Sequence, residues 1–150
     1  MHENDAHDLS PPQCSSAMRL HEMLLEGNLG EYAEHALQSS RHFKDQYQSL
    51  RACDDYYDAL VNSNNNVAAS QDRKKAAWTS YSAYLDCIGK ALCEKPLLEW
   101  KACISSVKIG KKHIQECAQT KRLLERCLRS KSEEILRASQ PQVFRPNAVP

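Results

Sequence analysis

Apolar residues recur along most of this 150-residue chain at steps of three, four and seven, which is the period of an α-helix. The first such stretch, AMRLHEMLLE, places Leu20, Met23 and Leu24 on one side, and it is followed by Gly27 as a stop signal. Longer stripes predict helices over about 31–61 and 69–92, separated by a loop at NSNNN, residues 62–66. The inward face of the third helix is expected to carry Trp78, Tyr81, Leu85, Ile88 and Leu92.

The two ends of the chain lack this periodicity. Pro11 and Pro12 stop any helix in the acidic start, so residues 1–15 are predicted to be a flexible arm, with Ser15 or Ser16 capping the first helix. The stretch SQPQVFRPNAVP contains three prolines, and residues 139–150 are predicted to be an extended tail. Between them lie a helical region over 16–92 and a hairpin over 93–138, with Gly110 near its turn. The predicted fold class is therefore all-α, with helical hairpins and extended termini.

Two stretches of the second half, CEKPLLEWKAC at 93–103 and CAQTKRLLERC at 117–127, each hold two cysteines separated by nine residues. Residues ten apart on a helix lie about 80° apart around it and about 15 Å apart along it. On two antiparallel helices this spacing brings Cys103 opposite Cys117 near the turn. It also brings Cys93 opposite Cys127 at the open end, and both pairs can reach disulfide distance. The spacing thus selects one of the three connectivities open to four cysteines.

Two other interpretations of these cysteines stay open, a metal site and coincidence. Zinc sites favour two cysteines separated by two to four residues, and redox enzymes use C-x-x-C. Neither spacing occurs in the chain. Four unrelated thiols could share the spacing by chance, although two equal spacers on either side of a turn argue against chance.

Composition and charge narrow the class of protein. Apolar residues make up 41% and charged residues 26%, which is ordinary for a soluble protein, and no apolar run is long enough to span a membrane. The start resembles neither a secretory signal nor an Arg-rich transit peptide. Residues 1–92 hold 8 Lys/Arg and 13 Asp/Glu, a net charge of −5, whereas residues 93–150 hold 12 and 6, a net charge of +6. The two halves could attract each other or face different partners.

Paired C-x9-C segments on a helical hairpin resemble the coiled-coil-helix-coiled-coil-helix (CHCH) family of the mitochondrial intermembrane space. The resemblance implies import without a cleaved presequence and oxidation by a disulfide-relay oxidoreductase, which accords with disulfide-type cysteines in a chain without a secretory signal. In that family an apolar or aromatic side chain near a cysteine docks on the oxidoreductase. Leu97 and Trp100 match this pattern and are the import-signal candidates, with packing inside the hairpin as the alternative for Trp100.

A narrower resemblance rests on the spacing of Cys93, Pro96, Leu97, Glu99 and Trp100. This stretch is similar to the last C-x9-C helix of the PGIV-type accessory subunits of respiratory complex I, which carry two CHCH modules in tandem. The resemblance implies that residues 16–92 include a degenerate first module and that the intact second module covers 93–127.

The remaining cysteines are interpreted through this resemblance. Cys53 is expected to be the inner cysteine of the first helix of the first module, although Phe43 stands ten residues before it. Cys87 is its expected partner, with Ala77 ten residues earlier. A single Cys53–Cys87 disulfide across the NSNNN loop is expected, and two separate buried thiols are the alternative. Cys14 is left over in the predicted arm, either free or in an intermolecular disulfide.

The sequence contains no complete catalytic motif. His21 and Glu22 begin like a helical metalloprotease motif, but Leu25 replaces the second histidine. The histidines show no ligand spacing and are expected at the surface or at helix ends. Carboxylates on neighbouring helical turns can do acid–base work in a cleft, but these are expected on a solvated face: Asp54, Asp55 and Asp58. We therefore assign no catalytic, cofactor or metal residues and expect no enzyme.

A basic face is predicted on the last hairpin, where it could meet acidic protein, phospholipid headgroups or RNA, with a solvated helix face as the alternative. Its members are Lys111, Lys112, Lys121, Arg122, Arg126 and Arg129.

These observations favour a non-catalytic function. We expect a structural accessory subunit of a mitochondrial inner-membrane respiratory complex, complex I first, on the intermembrane-space side. Its rigid hairpins would present pre-organised docking surfaces that lose little entropy on binding. The expected partners are other subunits of the complex and, during import, the disulfide-relay oxidoreductase. We expect no nucleic acid and no cofactor, and the contact with the membrane is expected to be peripheral.

Three alternatives belong to other functional classes. A mitochondrial ribosomal subunit is favoured by the basic second half and disfavoured by the acidic first half. The second alternative is a copper chaperone or assembly factor of another respiratory complex. Copper delivery within the CHCH family implies an adjacent Cys-Cys pair, which the chain lacks. A thiol oxidoreductase would need an exposed dithiol of low pKa, and no C-x-x-C or C-x-C supplies one.

Overall fold

The computed structural model describes residues 10–27, 41–65 and 71–139. The part of the chain within these ranges contains no strand, which confirms the all-α prediction. The predicted tail after Ser139 and the start of the predicted second helix, 31–40, lie outside the described residues. The helices are α1 (Ser15–Leu25), α2 (Arg41–Arg51), α3 (Asp54–Asn65), α4 (Gln71–Leu92), α5 (Glu94–Lys108) and α6 (Ala118–Ser139), with a 3-10 turn over Ile114–Cys117.

The N-terminal helix α1 begins slightly earlier than predicted. Cys14, rather than Ser15 or Ser16, occupies the N-cap position, and no side chain accepts a capping hydrogen bond there. Gly27 follows the helix with a φ of 75°, in the left-handed region that glycine adopts without steric cost. The inward side of α1 buries Leu20 and Leu24, as the apolar pattern predicts.

The helix predicted over 31–61 is interrupted. α2 ends at Arg51, because the Cys53 N–H bonds to the Leu50 carbonyl three residues back and tightens the chain there. α3 then begins with Asp54 and Asp55, whose carboxylates interact favourably with the dipole at a helix N-terminus. The apolar stripe continues in step across this interruption, so periodicity alone did not reveal it.

The asparagine-rich stretch does not end α3 where the sequence predicts. The helix continues through Asn62 to Asn65, and residues 66–70 lie outside the described ranges. Ser63 Oγ lies 2.9 Å from Ser80 Oγ of α4, so the last turns of α3 pack against α4. This tertiary contact outweighs the weak helix propensity of serine and asparagine.

Helix α4 lies at the centre of the fold and contacts α2, α3, α5 and α6, while α1 packs across α6 and α3. The predicted inward face of α4 is correct except at one position. Trp78 is 53% exposed, because it borders an open groove instead of a neighbouring helix. The largest fully buried side chains are Tyr84, Leu20, Leu50, Leu60, Ile88, Leu124, Leu128 and His21.

Residues 10–14 do not belong to a flexible arm, which corrects that part of the prediction for 1–15. Pro12 is fully buried, and the segment lies along α4 and α6. Residues 1–9 are outside the described ranges. Three hydrogen bonds hold the segment: Tyr81 Oη to the Pro12 carbonyl, the Gln13 N–H to Glu125 Oε2 at 2.8 Å, and Lys121 Nζ to Ser10 Oγ at 3.0 Å.

Candidate functional site: the disulfide staples and the groove beside them

Two disulfides staple α5 to the 3-10 turn and α6. Cys93 bonds to Cys127 with a Cα–Cα distance of 6.1 Å, and Cys103 bonds to Cys117 with a distance of 5.8 Å. This is the antiparallel pairing that the nine-residue spacing selects. Oxidation leaves no thiolate among these four residues to bind a metal. Elsewhere in the described ranges, no three His, Cys, Asp or Glu side chains are grouped to hold a metal ion.

Local hydrogen bonds build the turn that sets this register. Gly110 adopts a φ of 81° after α5, and its N–H bonds to the Val107 carbonyl at 3.0 Å. The side chains of His113 and Glu116 then cap the start of the 3-10 turn: Glu116 Oε2 accepts the His113 N–H at 3.0 Å, and His113 Nδ1 accepts the N–H of Gln115 at 3.3 Å. Such a capping pair starts a helix at a defined residue. It therefore brings Cys117 back to face α5.

A third disulfide joins Cys53 to Cys87, the pair expected from the family resemblance. Its sequence separation of 34 equals that of Cys93–Cys127. Cys53 and Cys93 each stand directly before a helix, and each carbonyl accepts an N–H of the next turn, from Tyr57 and Leu97 respectively, at 3.0 Å.

This arrangement corrects the interpretation of Cys53 as an inner cysteine. Phe43, ten residues earlier, belongs to α2, whereas Cys53 introduces α3, so the spacing toward Phe43 does not run along one helix. Cys53 is instead the outer cysteine of the first stapled hairpin, formed by α3 and α4. In the sequence, Ser63 and Ala77 stand 40 residues before Cys103 and Cys117, the same offset that relates Cys53 to Cys93 and Cys87 to Cys127. The first hairpin therefore lacks the inner staple and keeps the outer one.

The buried positions repeat with the same offset of 40 residues that relates Cys53 to Cys93 and Cys87 to Cys127. The signal available in the sequence was the equal separation of 34 residues between Cys53 and Cys87 and between Cys93 and Cys127. Besides Cys53 with Cys93, the buried pairs at this offset are Tyr57 with Leu97, Tyr84 with Leu124, Ile88 with Leu128, and Leu92 with Ser132.

The two import-signal candidates lie in different environments. Leu97 is 4% exposed and packs on Gly89 at the corner between α4 and α5. A Cβ atom at Gly89 would stand 3.0 Å from Leu97 Cδ1, so a larger residue there would require the Leu97 side chain to shift by a few tenths of an ångström. Trp100 is half-buried and borders an open groove. In the folded chain Trp100 is more accessible to a partner than Leu97.

A groove of about 450 Å³ runs between α4 and α5, beside the buried segment that contains Pro12. Trp78 and Trp100 supply its aromatic surface. The ion pair between Asp86 and Lys101, at 3.4 Å, separates it from a second hollow of about 620 Å³. The two hollows hold half of the large apolar side chains that the described part of the chain exposes: Trp78 in the first, and Tyr56 and Leu98 in the second. Together they form one apolar face, called here the α4–α5 face.

His21, which was expected at the surface or at a helix end, instead lies at the centre of a polar cluster inside the fold. His21 is 0% exposed, and its Nε2 lies 2.8 Å from Asp54 Oδ1. The other oxygen of this carboxylate accepts a hydrogen bond from Arg51 Nε at 2.9 Å, so Asp54 is not on a solvated face. Tyr57 and Tyr84 enclose the imidazole, with ring centroids 5.3 and 5.5 Å away.

Burial determines the protonation state of this histidine. It lowers the pKa of His21, and the opposing influence of the Asp54 carboxylate is smaller. The imidazole is therefore neutral at pH 7 and donates from Nε2 to Asp54. The signal for burial was present in the sequence, since His21 shares the side of α1 that carries Ala17 and Leu24.

Cys14 is free, 3% exposed, and not part of a mobile arm. Its Sγ lies 3.4 Å from Tyr81 Oη. Burial raises the pKa of the Cys14 thiol, which keeps it protonated and unreactive. The structure therefore favours the free thiol over the intermolecular disulfide.

The predicted basic face is present on the last hairpin, with one exception. Lys121 is largely covered and interacts with Ser10 and Glu125. The other members are exposed: Lys111, Lys112, Arg122, Arg126 and Arg129.

No protein-family model, curated protein or solved structure matches the chain. In the described ranges, no helix combines the length and apolar character needed to cross a bilayer. The observations establish an all-α protein whose helices are joined by three disulfides, which is consistent with a CHCH-like stapled fold.

Proposed function

We propose that the chain is a non-catalytic structural accessory subunit of a mitochondrial inner-membrane respiratory complex, with NADH dehydrogenase complex I as the first candidate. It would lie on the intermembrane-space side as a peripheral subunit. The observation that carries the proposal is the tandem arrangement of two hairpins stapled across equal separations of 34 residues. This arrangement supports the CHCH resemblance and, through it, oxidation by the disulfide relay of that compartment.

The mechanism we propose is binding by pre-organised surfaces. Each disulfide reduces the conformational entropy of the unfolded chain, which raises the free energy of unfolding by about 3–4 kcal/mol. It also holds two helices in one register. A surface that is already ordered loses little conformational entropy when a neighbouring subunit docks on it. The subunit would therefore stabilise an assembly without carrying any chemistry.

The α4–α5 face is the proposed docking surface. Trp78 and Trp100 border one groove, and tryptophan is among the residues that contribute most to protein interfaces. Tyr56 and Leu98 extend the face into the second hollow. Burial of this face by a neighbouring subunit would remove from water three of the six large apolar side chains that the described residues expose.

The proposal is tested by complexome profiling of mitochondria, in which native-gel slices are analysed by mass spectrometry with non-reducing peptide maps. We expect co-migration with complex I subunits and disulfide-linked peptides for all three cysteine pairs. Co-migration with ribosomal proteins would move the chain to the ribosomal alternative. A small free species with reduced cysteines would contradict the structural proposal altogether.

A variant pair tests the docking face itself. Trp78→Ala is expected to reduce incorporation into the complex while leaving the stability of the isolated chain within about 0.5 kcal/mol, because Trp78 is exposed. Leu123→Ala on α6 is the control, since Leu123 is also exposed but lies outside both hollows. Equal incorporation of the two variants would show that the α4–α5 face is not the docking surface.

A further inference from the structure

The turn between α5 and α6 carries the sequence KIGKK at 108–112, called here the hairpin tip. Ile109 is 68% exposed, the largest value among the large apolar side chains of the described residues. Lys108, Lys111 and Lys112 surround it and are all exposed. Within the described ranges, none of the three lysines takes part in an ion pair. A single exposed isoleucine is ordinary on a protein surface, but Ile109 stands in a tight turn within three residues of three lysines that form no ion pair among the described residues.

The hairpin tip is held in one conformation. The Cys103–Cys117 disulfide closes it on the side of the helices. Backbone hydrogen bonds from Lys111 and Lys112 to the Ser106 carbonyl, at 2.8 and 3.2 Å, fix the turn between them. Ile109 is therefore held on a rigid backbone, and the hairpin tip loses little conformational entropy when Ile109 moves from water into a binding surface.

We propose that the hairpin tip is a contact site for an anionic phospholipid surface. The three lysines would lie at the level of the lipid phosphates, and Ile109 would enter the boundary between headgroups and acyl chains. A basic segment gains affinity for anionic lipid with each lysine near the surface, and an apolar side chain adds the burial term. The inference rests on the proposed peripheral location at a membrane and names the surface that the chain would touch there.

The isoleucine distinguishes lipid from other polyanions. Lysines alone would also attract RNA, but single-stranded RNA is held by aromatic stacking, and the hairpin tip contains no aromatic residue. A hydrated phosphate backbone would leave Ile109 in water. At a lipid interface the phosphates can pair with the lysines while Ile109 is removed from water. The positive charges of Lys108, Lys111 and Lys112 would orient the hairpin tip toward the anionic surface.

The test is co-sedimentation of the purified, oxidised full chain with vesicles. Vesicles of phosphatidylcholine alone are compared with vesicles of phosphatidylcholine and phosphatidylglycerol, across a range of salt concentrations. We expect binding to the anionic vesicles only, decreasing as salt screens the lysines. Lys111→Gln with Lys112→Gln should lower the affinity about five-fold for each lysine at low salt.

Ile109→Ser separates insertion from simple charge attraction. We expect it to lower the affinity by about five-fold, and this loss should persist at high salt because it does not depend on charge. The matched controls are Leu25→Ser, an exposed apolar position on α1 that lies outside the hairpin tip and the α4–α5 face, and Lys90→Gln with Lys95→Gln. Far-UV circular dichroism and intact disulfide-linked peptides verify that each variant is folded.

Three outcomes would overturn the inference: no binding to anionic vesicles, equal binding to neutral vesicles, or tip variants that behave like the controls. Tighter binding to single-stranded RNA that is unaffected by Ile109→Ser would identify the tip as a nucleic-acid contact instead. Failure of vesicle binding leaves the co-migration result of complexome profiling unchanged, so the two proposals fail separately.

Discussion

His21 shows how a polar side chain is accommodated in the core of this protein. Its imidazole is closed off by Tyr57 and Tyr84, and a hydrogen bond to Asp54 satisfies Nε2. A buried polar group without such a partner would destabilise the fold by about 1–3 kcal/mol. Arg51 in turn holds the carboxylate of Asp54. The cluster thus joins α1 to the junction between α2 and α3.

We expect the stability of the protein to decrease when the pH falls through the titration range of this histidine. Burial lowers the pKa of His21 in the folded chain, whereas the unfolded chain titrates near its ordinary value of about 6.5. The unfolded state therefore binds the proton first on acidification. The contribution of His21 is fully present above pH 6.5 and is lost as the pH falls toward the folded-state pKa.

Denaturant unfolding between about pH 7.5 and pH 5 measures this dependence. His21→Gln is the comparison, because glutamine can keep a hydrogen bond to Asp54 but does not titrate. The free energy of unfolding of this variant should fall less steeply over the same interval. Parallel curves for the two proteins would show that His21 does not contribute to the pH dependence.

At the scale of the helices, the staples compensate for short elements. α2, α3 and α5 have 11, 12 and 15 residues, lengths at which an isolated helix is marginal in water. A disulfide at the open end of each hairpin fixes the pairing of its two helices. The second hairpin has an additional staple beside its turn, and the first has serine and alanine at those positions.

The loss in free energy of unfolding when one disulfide is removed should increase with the length of the loop that this disulfide closes. Cys53→Ala with Cys87→Ala opens a loop with a separation of 34 residues and is expected to lower the free energy of unfolding by about 4 kcal/mol. Cys103→Ala with Cys117→Ala opens a separation of 14 and should cost about 3 kcal/mol. Urea titration under non-reducing conditions measures both. The reverse order would show that residual structure in the unfolded chain outweighs loop entropy.

The first hairpin offers a place for a fourth staple. Ser63 Oγ and Ser80 Oγ are 2.9 Å apart across α3 and α4, so cysteines at these positions can approach bonding distance. We expect Ser63→Cys with Ser80→Cys to oxidise and to stabilise the chain by up to about 3 kcal/mol. Mass spectrometry with thiol counting and thermal unfolding measure the two effects.

The control for this design is Ser63→Cys with Ala77→Cys, which copies the register of the second hairpin. The observed contact of Ser63 is with Ser80, one turn further along α4, so the control should oxidise less completely. Preferential oxidation of the Ala77 pair would mean that the two hairpins share one register throughout.

For the whole molecule, oxidation and folding are expected to be inseparable. The three staples together amount to about 10 kcal/mol on loop-entropy estimates, which is comparable with the total stability of an ordinary domain. Reduction with dithiothreitol should therefore unfold the chain at physiological temperature. Far-UV circular dichroism and the elution volume in size-exclusion chromatography measure the loss of helix and of compactness. A reduced chain that keeps its native volume and resists proteolysis would contradict this expectation.

The periodicity of apolar residues and the spacing of cysteines were sufficient to predict many of the helices and two of the disulfides of this protein. The helices follow from the pattern of apolar residues. The Cys93–Cys127 and Cys103–Cys117 pairs follow from helix geometry, because equal cysteine spacing on two antiparallel helices brings both pairs opposite each other. Other features depend on residues that are far apart in the sequence. Burial of Cys14 requires Tyr81, the position of His21 requires Asp54, and the exposure of Trp78 reflects an open groove on α4. These features arise from the packing of distant helices against one another, which a periodic pattern within one helix does not encode.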